Sequence, residues 1–103
     1  MAKLGAIDIS GKSGRRYKFI AFSLDTAFRK GRAAVYVVTR RRQAAAGGGF
    51  KHRRIGMDQT GDLRRLLADS SRFHGVSCAN CICVYDEEDE AARRLVQQDL
   101  RIQ

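Results

Sequence analysis

Four stretches of this chain hold side chains whose types and spacing can do chemistry. Cys78-x-x-Cys81-x-Cys83, with His74 upstream, supplies four soft donors of the kind that hold zinc. Arg40-Arg41-Arg42 and Lys51-His52-Arg53-Arg54 supply cations suited to phosphate. Gly11-Lys12-Ser13 matches the last three residues of a phosphate-binding loop. Asp86-Glu87-Glu88-Asp89-Glu90 is a run of carboxylates.

Each has a structural reading beside the chemical one. Cys81 and Cys83 fall on one face of a period-2 strand with Ile82 and Val84 on the other, so the cysteines read as small buried hydrophobes and reduced thiols. No second ligand pair stands elsewhere, and the expected metal complement is none. The phosphate-loop motif needs its first glycine at position 6, which is Ala, with Gly5 one place off, and no helix signal follows Ser13. The acidic run reads as the first turn of a helix, where the macrodipole favours carboxylates, with Ala91, Ala92, Leu95, Val96 and Leu100 as its buried face. Arg93, Arg94 and Arg101 lie toward its cationic end.

Charge separates along the chain. Twenty Lys and Arg against eleven Asp and Glu give +9 overall, residues 1–85 carrying +12 and residues 86–103 carrying −3. Fifteen of the twenty cations are Arg, whose planar fork suits bidentate contact with phosphate, so an anionic partner such as DNA or RNA is expected. The alternative is charge that serves solubility alone.

The elements that must position these groups follow from patterning. At 103 residues the chain is one domain with room for ten to fifteen core side chains. Ala6–Ser10 and Arg16–Phe22 alternate as strands, and Gly11–Arg15 between them suits a hairpin turn. Ser23–Gly31 predicts a short helical turn with Leu24, Ala27 and Phe28 on one face. Ala33–Thr39 is apolar on both faces, as a central strand must be. Gln43–Gly49 is a glycine-rich spacer expected to form a mobile loop, Phe50–Gly56 a returning strand, and Met57–Gly61 a connection. That pairing gathers six cations and His52 at one end of the sheet. Asp62 or Thr60 caps a helix beginning near Leu63, with Leu63, Leu66 and Leu67 buried, Arg64 and Arg65 outward, and an end by Ser70-Ser71. Ser77–Tyr85 is a further strand. No run of apolar residues is long enough to span a membrane, and Met1–Gly5 lacks the apolar block of a secretory signal, so a cytoplasmic protein without a membrane partner is expected.

Ala34-Val35-Tyr36, a loop, Arg54-Ile55-Gly56, then Gln59-Thr60-Gly61-Asp62-Leu63, a strand ending Ile82-Cys83-Val84 and an Ala- and Arg-rich final helix together resemble the GIY-YIG nuclease domain family over residues 33–100. The resemblance implies an α+β fold, a small mixed and mainly antiparallel sheet flanked by helices, here preceded by the N-terminal hairpin. It also implies Mg²⁺-dependent cleavage of DNA, but the residues that perform it are incomplete. The first motif tyrosine matches Tyr36, whereas the second falls on Arg54. The helix arginine falls near Leu66, beside Arg64 and Arg65, and the metal-binding glutamate at Val96 or Gln97. Such a member lacks the carboxylate that phosphoryl transfer through a metal needs.

The expectation is therefore a non-catalytic or weakly active nucleic-acid-binding domain, using Arg40, Arg41, Arg42, Lys51, Arg53, Arg54, Arg64 and Arg65 and no cofactor. One alternative is an active endonuclease with a relocated site built from Tyr36, His52, Arg54 and Asp58, which would need Mg²⁺. Another is a protein-interaction domain whose basic face meets an acidic partner, including the 86–90 turn of a second copy.

Overall fold

The computed structural model describes residues 3–43, 49–68 and 79–100. The elements run β1 (Lys3–Ser10), β2 (Arg16–Ser23), β3 (Ala34–Gln43), β4 (Phe50–Thr60), α1 (Leu63–Ala68), β5 (Cys81–Asp86) and α2 (Glu90–Leu100). One sheet takes the five strands in the order β1-β2-β5-β3-β4, and every neighbouring pair is antiparallel. The protein is a small α+β domain whose sheet is antiparallel throughout rather than mixed.

The apolar character of Ala34–Val38 is explained by its place in the middle of the sheet. Val35 and Val37 pack with Phe19, Cys81 and Cys83 beneath Val96 and Leu100 of α2. Ala34, Tyr36 and Val38 pack on the opposite side with Phe22, Ile82 and Val84 against Leu63 and Leu66 of α1. Among the described residues twenty apolar side chains are buried, more than expected, because a sheet with a helix on each side has two cores.

The N-terminal hairpin forms as its turn residues predict. Gly14 N donates to Gly11 O at 3.0 Å and Gly14 takes φ +87, a conformation other residues adopt only with strain. Asp62 caps α1, accepting from Arg64 N at 3.1 Å, while Thr60 Oγ1 accepts from Asp62 N at 3.2 Å.

Several local expectations are corrected. Ser23–Gly31 makes no helix: Thr26 N donates to Ser23 O at 3.1 Å, and the chain then runs irregularly. The irregular path lets Phe28 bury edge-on against Phe22, with ring centroids 5.1 Å apart. Met57–Thr60 is not a connection but the second half of β4, pairing with Ala34–Val37. The acidic run is not a first helical turn. Asp86 ends β5, where Arg32 grips it at 2.7 and 3.0 Å, and α2 starts only at Glu90 with Asp89 as its cap. On α2 the buried positions are Arg93, Val96 and Leu100, while Leu95 is 67% exposed. The spacer residues 44–48, the end of the first helix, His74, Cys78 and Arg101 lie outside the described residues.

Candidate functional site

The β3–β4 hairpin begins in the core and ends in solvent. Val38 pairs with Gly56 but Thr39 with Arg54, so Ile55 is an extra residue in β4, and this bulge marks the point where the hairpin leaves the core. Beyond it Arg40 pairs with Arg53, Arg41 with His52 and Arg42 with Lys51. The six expected cations and His52 do gather at one end of the sheet.

Strand alternation sorts them. Arg40, Arg42, Lys51 and Arg53 continue the side on which Val38 and α1 lie, are exposed, and with His52 border a depression of about 580 Å³. Like charges directly opposite one another destabilise a ladder, so this arrangement costs the fold something. Arg41, His52 and Arg54 continue the other side. Arg41 Cζ lies 3.5 Å from the centroid of the Phe50 ring, and Phe50 is 52% exposed. The Arg41 backbone is fixed by Asn80, whose side chain accepts from Arg41 N at 2.7 Å and donates to Arg41 O at 2.9 Å. From Thr26 to Met57 the chain contains no Asp or Glu, so the hairpin brings no acid of its own to this end. Two ion pairs among the described residues, Arg32–Asp86 and Arg94–Glu90, lie elsewhere.

Arg64 and Arg65 are exposed on α1 and stand apart from this cluster; Arg64 borders a different depression with Leu24–Phe28. Tyr36 is buried in the α1-side core, whereas His52 and Arg54 are on the α2 side, so the residual catalytic candidates do not converge. Asp58 accepts from Gln59 N and from Gln97 Nε2 at 2.8 and 3.2 Å. The residues do not fit Mg²⁺ at the position the nuclease resemblance implies: Val96 is buried in the apolar core and Gln97 is an amide engaged with Asp58.

Gly11-Lys12-Ser13 holds a carboxylate of its own chain. Ser13 N and Oγ donate to Asp99 at 2.8 and 2.7 Å, Tyr17 Oη donates to it at 2.8 Å, and Lys12 N donates to the Asp99 carbonyl at 2.8 Å. These bonds hold the Asp99 carboxyl below the usual range, the Ser13 hydroxyl foremost. The Tyr17 phenol is pushed up, mainly by burial and then by Asp99.

A second cluster lies under the α2-side surface, one that sequence reasoning reached only in part. Cys81 and Cys83 are fully buried on one face of β5, as their spacing predicts. Thr39, also fully buried, stands between them and β4, and its Oγ1 is 2.9 Å from His52 Nδ1. Among the described residues the histidine that joins the thiols is His52, delivered by the hairpin register. The Cys81 thiol is held below the usual thiol value, chiefly by a hydrogen bond from Cys83, against the opposing effect of burial and with help from Thr39, Arg41 and the Phe22 backbone. Cys83, the donor in that bond, is raised, burial adding to the effect. Burial, then Arg41, pushes His52 down.

Comparison with known proteins places the chain nowhere: no family profile, curated protein or solved structure matches it.

Proposed function

We propose that this protein is a non-catalytic nucleic-acid-binding domain, built on a GIY-YIG-like arrangement and using the outer half of the β3–β4 hairpin as its phosphate-facing surface. The observation that carries this reading is the register of Arg42 against Lys51 and of Arg40 against Arg53. A fold gains nothing from opposing like charges on an exposed ladder, whereas a polyanion spanning the hairpin turns them into phosphate contacts. The exposed Phe50, stacked under Arg41, adds a flat surface for an unpaired base. The order β3, β4, α1, β5, α2 supports the nuclease-like ancestry, and the dispersal of Tyr36, His52 and Arg54 supports loss of cleavage.

Fluorescence anisotropy of labelled single- and double-stranded DNA and RNA over a salt series tests it. Four phosphate contacts give a slope of log K against log salt of roughly −3 to −4. The double variant Arg42→Glu/Arg53→Glu should bind at least tenfold more weakly. No binding at low salt overturns the reading, and Mg²⁺-dependent nicking on a gel overturns its non-catalytic half. Contact with the acidic turn of a second copy is a weaker alternative, because Asp86, Glu87, Asp89 and Glu90 each already accept a hydrogen bond within the chain.

A further inference from the structure

We infer that His52, Cys81 and Cys83 form a buried binding site for a soft d¹⁰ metal cation, Zn²⁺ or Cu⁺. One donor atom from each of these residues lies within 4.8 Å of the other two. Three ligands around such an ion stand about 3.5–4 Å apart when metal–sulfur and metal–nitrogen distances are about 2.3 and 2.0 Å, so a small rotamer adjustment closes the set. Two thiols and an imidazole are the donors that select this class of ion over Mg²⁺ or Ca²⁺.

The fold favours a metal over the other uses of paired thiols. Residues i and i+2 of an extended strand are about 6.6 Å apart at Cα, the upper edge of disulfide geometry, so a Cys81–Cys83 bridge would strain β5. A cation bridges that separation without moving the backbone. On binding, both thiol protons leave to solvent and the two thiolates neutralise Zn²⁺. With Cu⁺ the site keeps one negative charge, which the Arg41 guanidinium, whose positive charge favours both thiolates, offsets. Thr39, bonded to His52 Nδ1 and packed beside both cysteines, orients the ring as outer partners of metal-bound histidines do. Entry comes from the β4 side, where His52 is half-buried while the cysteines are sealed. The ion would tie edge strand β4 to β5 across β3 and stiffen the base of the basic hairpin. The inference does not depend on nucleic-acid binding.

The full chain, reduced and freed of metal, is titrated anaerobically with Zn²⁺ and separately with Cu⁺, with Mg²⁺ as a control. Co²⁺ serves as the spectroscopic probe. One Zn²⁺ or Cu⁺ per chain, intense thiolate-to-Co²⁺ absorption and a melting temperature that climbs with metal concentration are expected. His52→Gln, a half-buried position, should weaken binding at least tenfold while the apo fold is retained. Cys83→Ser should abolish the thiolate band, and its circular dichroism reports whether it folds. Absence of a one-to-one complex with either ion overturns the inference. So does binding that survives His52→Gln and is lost in Cys78→Ser, which assigns the metal elsewhere.

Discussion

Arg93 is buried to 5% exposure, no carboxylate among the described residues pairs with it, and the oxygens that hold its guanidinium carry no charge. Nε donates to Gln59 Oε1 at 2.8 Å, and one terminal nitrogen donates to the Glu87 and Glu88 carbonyls at 3.0 and 2.9 Å. It thereby fixes the approach to α2 and ties that helix to β4. Arg93→Ala should cost about 3 kcal/mol in urea denaturation, since it strips three charge-assisted bonds from groups held away from water. Arg93→Lys should recover less than half of that, because one ammonium cannot reproduce the fork. Leu95→Gln, two residues on, should change stability by no more than about 0.5 kcal/mol. Hydropathy orders these positions the other way, placing Leu95 inside and Arg93 in solvent. The pattern of α2 alone cannot reveal that two carbonyls of the β5–α2 connection require a donor.

The latch between the β1–β2 turn and the last turn of α2 joins the first hairpin to the final helix. Asp99 receives three hydrogen bonds through its side chain, and its carbonyl, an orphan of the helix end, receives Lys12 N. Gly11 is required by closeness: a Cβ there would lie 2.1 Å from an Asp99 carboxylate oxygen. Gly11→Ala should therefore lower the melting temperature and, in a double variant with Asp99→Ala, cost much less than it does alone. The pH dependence has a definite sign. The Asp99 pKa is depressed in the fold, so its contribution is present above the ordinary aspartate value of about 3.9 and lost as pH falls through the lowered value. Tyr17 is raised, so its contribution is present below about 10 and lost as pH rises through the folded value. Thermal melts from pH 2 to 8 should show the gap between the native chain and Asp99→Asn closing only in acid. At this scale the hairpin, the central strand and the capped helix were legible because turn glycines, two-sided apolarity and Asp62 act locally. Ser23–Gly31 was not, because its helical spacing is overridden once β2 fixes the Phe22 ring, against which Phe28 packs, and Arg32 stacks over both aromatics at 5.4 and 5.3 Å. The pairing of His52 with Cys81 and Cys83 was not legible either: it depends on the order β5-β3-β4, which brings together strands 29 and 31 residues apart in the chain.

Over the whole molecule, the net charge of +9 is distributed so that one end of the sheet carries opposed cations while the acidic turn is used internally. A surface kept for a polyanion and a surface that is merely basic make opposite predictions for one substitution. Lys51 faces Arg42 across the ladder, so Lys51→Glu replaces a repulsive pair with an attractive one and should stabilise the fold by about 0.5–1 kcal/mol. The same change removes one phosphate contact and adds a repulsive one, so affinity for an oligonucleotide should fall about tenfold or more. A variant that melts higher and binds more weakly identifies the hairpin as a site where stability is held below its optimum by function. The native chain should also melt higher as salt rises from about 0.05 to 0.5 M, through screening of the hairpin, and this gain should shrink in Lys51→Glu. Higher stability with unchanged affinity would instead mark the cations as background charge and move the search for a binding surface off this end of the sheet.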